Sequence, residues 1–210
     1  MEDLINFLFR WFHVLAGVVW IGMLYYFNFV QGGYFKNASP EGLADAKAKL
    51  APEALWWFRW GAMLTFLTGV VLLYLIHVSL NAAIVLGATM GTLMFLNVWL
   101  VIWPNQQVAL GMKEGDAAAA GAKALLASRT NTLFSAPMLF GMLAGPHFPG
   151  SGAGYGSPVA STALYICLGI IAIIELNGLF GKLGPIASVK GVIHSSLGLT
   201  LLFGLIYYFL

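Results

Sequence analysis

Apolar residues run along this chain in six blocks, separated by short stretches that are polar or rich in glycine and proline. The blocks cover approximately residues 4–30, 54–78, 80–103, 126–145, 158–181 and 187–210. Each is long enough for a membrane-spanning helix, which needs about 20 mostly apolar residues. The fourth is strongly apolar only over 131–145, and is expected to continue an amphipathic helix that begins near Asp116. The connections are read from their polar and helix-breaking positions. Residues 31–53, with Gly32-Gly33, Pro40 and an alanine-lysine stretch, predict a loop and a short amphipathic helix. Pro104 is expected to stop the third helix, with a polar helix following over 116–129. A tight turn is expected near Ser79-Leu80-Asn81, and a non-helical cap over 145–158, Gly-Pro-His-Phe-Pro-Gly-Ser-Gly-Ala-Gly-Tyr-Gly-Ser-Pro. The expected fold is an all-α membrane protein: one domain over 1–210, built as a bundle of about six transmembrane helices with amphipathic connections.

Composition points the same way. The chain is 60% hydrophobic and 9% charged, more apolar surface than a soluble domain of this length can hide. Nine of the ten basic residues (Lys36, Lys47, Lys49, Arg59, Lys113, Lys123, Arg129, Lys182 and Lys190) flank the first, third and fifth connections, leaving only Arg10 on the other side. Basic residues favour the cytoplasmic side, so those connections are expected there and both termini outside. Glu2 and Asp3 are opposite in sign to the basic start of a cleaved signal peptide, and none is expected. Cys167 is the only cysteine, which excludes an intramolecular disulfide and a Cys-x-x-Cys-His haem attachment. A cofactor would have to be held without a covalent bond, mainly by histidine.

The candidate chemistry lies in polar residues set inside apolar blocks. The first block carries Arg10-Trp11-Phe12-His13, then Gly17 and Trp20, and the three-, four- and seven-residue spacings place Arg10, His13, Gly17 and Trp20 on one helical face. A histidine inside an apolar helix is costly unless something binds it. Beside an arginine able to pair with a propionate, a glycine that admits a flat ring and a tryptophan wall, His13 reads as an axial ligand of haem iron. His77 and His147 are expected at the same outer level. For His77, at a helix end, satisfaction by water or a carbonyl is the preferred reading. His194, followed by Gly198 at the spacing of His13 and Gly17, is expected nearer the inner side. Glu175 interrupts a run of isoleucines, so it must face the protein and be paired or protonated. A Glu175–His194 hydrogen bond is expected, either as a proton relay or as a polar pair that fixes helix packing. Gly61, Thr65, Thr68 and Gly69 read as marks of close helix packing, and Trp56, Trp57 and Trp60 as interfacial. No nucleophile–base pair, phosphate loop or nucleic-acid surface is visible.

Three stretches together resemble the membrane domain of the bacterial membrane-bound urate oxidase (urate hydroxylase) family, in which a helical bundle precedes a cytochrome c domain. They are Arg10 to Gly22, Asn97-Val-Trp-Leu-Val-Ile-Trp-Pro-Asn-Gln106, and Ser128 to Met142 with Pro146-His-Phe-Pro149. The resemblance implies a multi-pass protein of the bacterial inner (cytoplasmic) membrane with an electron-transfer role. It makes His13 and His147 the matching histidines and places Asn105, Gln106, Arg129, Asn131 and Ser135 in a shared polar motif. The chain ends at Leu210 without a cytochrome c domain, so the expected acceptor is a separate periplasmic cytochrome c. The leading expectation is a haem b-binding redox protein and possible membrane-bound oxidoreductase, with His13 as one axial ligand, His147 or His194 as the second, and Arg10 on a propionate. Two alternatives stand beside it: a non-catalytic membrane subunit of a larger respiratory or oxidase complex, and a small proton-coupled transporter using Glu175 and His194.

Overall fold

The computed structural model describes residues 1–77, 80–147 and 161–210, and these contain helices and no strand. Helix α1 (Glu2–Tyr25) passes through a π turn, Tyr26–Gln31, into α2 (Gly32–Asn37) without a break. After it come α3 (Pro40–Asp45), a second π turn at Ala46–Leu50, and α4 (Ala51–Leu75), again one continuous helix. The next comprises α5 (Ala82–Leu96), a π turn at Asn97–Ile102 and α6 (Trp103–Ala109). Helices α7 (Ala117–His147), α8 (Thr162–Phe180) and α9 (Val189–Phe209) complete the order. Short polar side chains define several starts. Asp116 Oδ1 accepts from the amides of Ala118 and Ala119 at 2.9 and 3.0 Å, and Ser161 and Ser188 accept from Leu164 and Gly191 at 3.2 and 2.9 Å.

Among the described residues five helices are long and apolar enough to cross a membrane: Asp3–Asn37, Pro40–Leu75, Ala82–Ala109, Thr162–Phe180 and Val189–Phe209. Their length and composition are compatible with a multi-pass membrane protein. Helix α7, which contains the expected fourth segment, has 31 residues but is too polar to join them. The first two reach 35 and 36 residues, or about 50 Å each at 1.5 Å per residue, well beyond the roughly 30 Å of a bilayer's hydrocarbon core.

Three connections differ from the sequence expectation. Residues 31–53 are not a loop: Gly32 is right-handed helical, and the chain breaks only at Ala38 and Ser39. Ser39 precedes Pro40, whose ring forces it to extended geometry (φ −61°, ψ 158°), and its side chain then caps α3 by accepting from Gly42 at 3.1 Å. Nor does Pro104 stop the third helix. The π turn before it has already shifted the ladder, with the Trp103 amide bonded to the Val98 carbonyl, so the proline enters at the first turn of α6, where its missing N–H is tolerated. Asn105 Nδ2 donates to the Val101 carbonyl at 2.7 Å. Helix α7 continues through Gly145 and Pro146 to His147, so the start of the expected cap is helical, and its remainder, 148–158, lies outside the described residues. The expected turn at 79–81 is described only from Leu80 onward.

The chain divides into two compact units, Met1–Leu72 with Phe95–Ser128, and Leu73–Met94 with Arg129–Leu210. In the first, α1 packs closely on α4: a Cβ on Gly61 would lie 3.0 Å from the Trp20 nitrogen. Phe66 stacks on Phe95 at 4.1 Å, and the Arg59 guanidinium lies 3.4 Å over the Trp103 ring. In the second, the α5 and α7 backbones touch at Gly87 and Gly141. A Cβ on Gly141 would lie 2.8 Å from the Gly87 nitrogen and 2.9 Å from the Ala83 carbonyl. Gly178 of α8 meets Thr130 of α7 in the same way, at 2.7 Å from its hydroxyl. Small residues at crossings of this kind let apolar helices approach within van der Waals range where no water is displaced. Cys167 is fully buried in α8, and the Tyr207 hydroxyl of α9 donates to the Ala82 carbonyl at 3.3 Å.

Candidate functional site

The inward stripe of the first helix follows helical spacing: His13 half-buried, then Ala16, Trp20, Leu24 and Asn28 buried, while Val14, Leu15 and Val18 are exposed. His13 Nδ1 lies 3.0 Å from the Thr68 hydroxyl of α4. That hydroxyl directs its hydrogen to its own helix, towards the Leu64 and Thr65 carbonyls at 2.7 and 3.0 Å. Only its lone pairs remain for the ring, so Nδ1–H donates and the imidazole lone pair resides on Nε2. The ring also has a hydrogen bond to the Thr65 backbone of α4. Gly69 makes the contact possible, because a Cβ there would come within 3.2 Å of His13 Cε1.

The companions of His13 serve several ends. A Cβ on Gly17 would meet the Thr65 methyl at 3.9 Å, so this glycine sits on the α1–α4 contact. Trp20 is buried, and its Nε1–H finds no acceptor among the described residues. Arg10 is exposed and donates from Nε to Asn6 Oδ1 at 2.6 Å. Further along the stripe, Asn28 lies in the first π turn and donates from Nδ2 to the Leu24 carbonyl at 2.9 Å and to Ser128 Oγ at 2.8 Å. Its Oδ1 is buried and has no donor among the described residues.

The second polar assembly is in the middle of α7, where ten consecutive residues, 126–135, are all buried. They include Ser128, Arg129, Thr130, Asn131, Thr132 and Ser135. Pro137 organises the end of this run. It has no N–H for the Leu133 carbonyl one turn earlier, and Ser196 of α9 donates to that carbonyl at 2.8 Å. The same Ser196 oxygen accepts from the Ala136 amide at 3.4 Å, and Ser135 Oγ donates to the Thr132 carbonyl at 2.7 Å. Asn131 Nδ2 reaches the Met94 carbonyl of α5 at 2.9 Å. Arg129 differs from these neighbours. It is 8% exposed, makes no hydrogen bond or ion pair with the described residues, and its Nε and Nη1 are fully shielded.

The remaining candidates are dispersed. His77 is exposed, stacks on Tyr74 at 5.8 Å and donates from Nδ1 to the Tyr74 carbonyl at 2.8 Å, the arrangement of an interfacial histidine satisfied by backbone. His147 is the exposed last residue of α7, and Gln106 is half-buried in α6. Glu175 is buried in α8, one turn from Gly178 and its contact with Thr130. His194 is exposed on α9 and has no partner among the described residues, so the expected Glu175–His194 pair is not formed. Among the described residues no three metal-ligating side chains cluster. Sequence reasoning missed Ser196, Pro137 and Asn28, of which Asn28 carried a signal, an amide inside an apolar block.

Residues 77–176 match a family model described as urate oxidase N-terminal. The match supports a urate oxidase-related family. It runs from the end of the second long helix into α8 and contains Asn105, Gln106, Arg129, Asn131, Ser135, His147 and Glu175, while Arg10, His13 and His194 fall outside it. No curated protein and no solved structure matches the chain.

Proposed function

We propose that this is a redox protein of the bacterial inner membrane, related to the urate oxidase membrane domain, which holds haem b through His13 and passes electrons towards a periplasmic cytochrome c. The observation that carries the reading is the setting of the His13 ring: half-buried on the inward stripe of an apolar helix, with Nδ1 fixed by the Thr68 hydroxyl. An imidazole oriented in this way is the usual protein ligand of haem iron. The donor set fits the group, since a porphyrin brings four nitrogens of its own and takes only one or two from the protein. Thr68 fixes the rotation of the ring and Gly69 provides the space for it. Arg10, exposed one turn before His13, supplies a cation for a propionate. Bound haem would supply one-electron redox chemistry; the helices set ligand orientation and solvent access. The long apolar helices support the membrane setting, and the match over 77–176 supports the urate oxidase relation.

A reduced-minus-oxidised spectrum of the purified protein tests the reading. The wild type is expected to show Soret and α-band changes, and His13→Ala to lose them. His77→Ala, His147→Ala and His194→Ala, measured alongside, identify the second ligand. A wild type without these bands, or a His13→Ala protein that keeps them in full, excludes haem at His13.

A further inference from the structure

We propose that Arg59 and the exposed tryptophans of α4 form a binding site for the headgroup of an anionic phospholipid. The continuous helix Pro40–Leu75 changes character at this point. Its first part carries Glu41, Asp45, Lys47, Lys49 and Glu53, whereas residues 61–73 carry no charge at all. Arg59 stands alone between the two parts. Around it Trp56, Trp57 and Trp60 are 46%, 51% and 41% exposed. Exposed indole rings on a spanning helix settle where hydrocarbon gives way to headgroups. A second aromatic level closes the apolar stretch at Tyr74, which is exposed and stacks with His77. From Trp57 to Tyr74 the helix is about 25 Å long, close to the thickness of a bilayer's hydrocarbon core. This spacing sets Arg59 at the level of the lipid phosphates.

The guanidinium is held in place and left unpaired. Its Nε donates to the Leu55 carbonyl at 3.2 Å, and its carbon lies 3.4 Å over the Trp103 ring and 5.7 Å from that of Trp99. Those contacts fix the fork without using Nη1 or Nη2. Neither has an acceptor or an ion-pair partner among the described residues, and both remain accessible at the surface. A planar fork with free N–H groups matches two oxygens of a phosphodiester. The indole rings beside it offer apolar faces to the start of the acyl chains and N–H groups to the ester carbonyls. A free phosphate would leave those rings uncovered, so the occupant is a lipid. A zwitterionic headgroup brings its own ammonium, for which this face of the helix has no acid: Glu53 lies roughly 120° around the helix and about 9 Å along it. The charge of Arg59 is therefore matched by an anionic lipid.

Brominated phospholipids test it, because bromine on an acyl chain quenches the fluorescence of a tryptophan in contact with it. The full chain carries Trp11→Phe, so that the exposed tryptophans among the described residues are those of α4. It is reconstituted into phosphatidylcholine vesicles with a minor fraction of brominated phosphatidylglycerol or, in a second series, of brominated phosphatidylcholine. A cation at the surface gives about a fivefold preference for an anionic lipid, and that preference is expected with Arg59 in place. Arg59→Met should abolish it while brominated phosphatidylcholine quenches as before. Lys182→Met and Lys190→Met should leave it unchanged. Equal quenching by the two lipids with Arg59 in place overturns the proposal, as does an undiminished preference in Arg59→Met or an equal loss in the lysine variants. Loss of the preference on adding inorganic phosphate at constant ionic strength also overturns it, since the site then takes a small anion. Should Arg59→Met not fold, Arg59→Lys replaces it: a fall to about twofold is expected with the planar fork gone, and an unchanged preference overturns the proposal. The site rests on the membrane setting proposed above and is independent of haem at His13. No quenching by either lipid would remove that setting and the site with it, whereas equal quenching by both removes the site alone.

Discussion

The first helix and the seventh handle burial in opposite ways. Helix α1 belongs to a segment of mean hydropathy 1.7, yet only 22% of that window is buried within the protein. In α7 the run 126–135 carries an arginine, an asparagine and several hydroxyls, and every one of its residues is buried. In water the order would be reversed. In the proposed membrane setting an apolar side chain gains nothing by leaving the surface, whereas a polar one has to be enclosed and partnered. Burial here therefore follows hydrogen-bonding need, and the most polar long helix is the most enclosed.

The same kind of substitution on the two helices gives the sharpest break. Gly141→Ala should lower stability by about 3 kcal/mol, because the new Cβ meets the Gly87 nitrogen and Ala83 carbonyl at 2.8 and 2.9 Å, backbone that cannot turn aside. The check is the melting temperature and the yield of monodisperse protein. Ser196→Ala comes next, at about 2 kcal/mol, since the Leu133 carbonyl opposite Pro137 loses its donor. In a Pro137→Ala background the helix can supply that donor itself, so the cost of Ser196→Ala should fall, and a double-mutant cycle measures the difference. Equal costs in both backgrounds would show that Ser196 acts elsewhere. For α1, Thr68→Val should cost about 1 kcal/mol and release the His13 ring, seen by nitrogen NMR as a shift from the Nδ1-protonated tautomer to a mixture. Smallest is Gly22→Ala. Nothing lies within 4 Å of the added Cβ, so the gain in helix propensity should stabilise by about 0.5 kcal/mol. A destabilising Gly22→Ala would mean that α1 is as enclosed as α7.

Much of the secondary structure was legible, because a block of apolar residues identifies a helix whatever surrounds it. Its ends were not. Hydropathy falls at Gly32 and at Pro104, but the backbone continues helically through both; what ended the first helix was the steric demand of Pro40 on Ser39. The π turns at 26–31, 46–50 and 97–102 leave no mark in apolar periodicity, since each adds a single residue to a turn. His13 stood out as a polar group within an apolar stripe, and it lies half-buried against Thr68. Its partner, 55 positions away, could only be sensed as a row of small and hydroxyl residues that included Thr68 and Gly69. The α7 run was harder still. Residues 116–129 read as a polar helix for water, and nothing local to the sequence tells a solvated Arg129 from an enclosed one.

Cys167, fully buried in α8 and the only thiol in the chain, gives the molecule a built-in clock. A membrane-permeant alkylating reagent can reach it only while α8 is transiently detached, and every molecule takes up one label at most. Where reclosing outpaces alkylation, the labelling rate divided by that of a free thiol is the equilibrium population of the open form. No residue has to be introduced for the measurement, and the mass of the intact chain reads it directly. Whatever strengthens the packing of α8 against α7 at Gly178 and Thr130 should slow the clock.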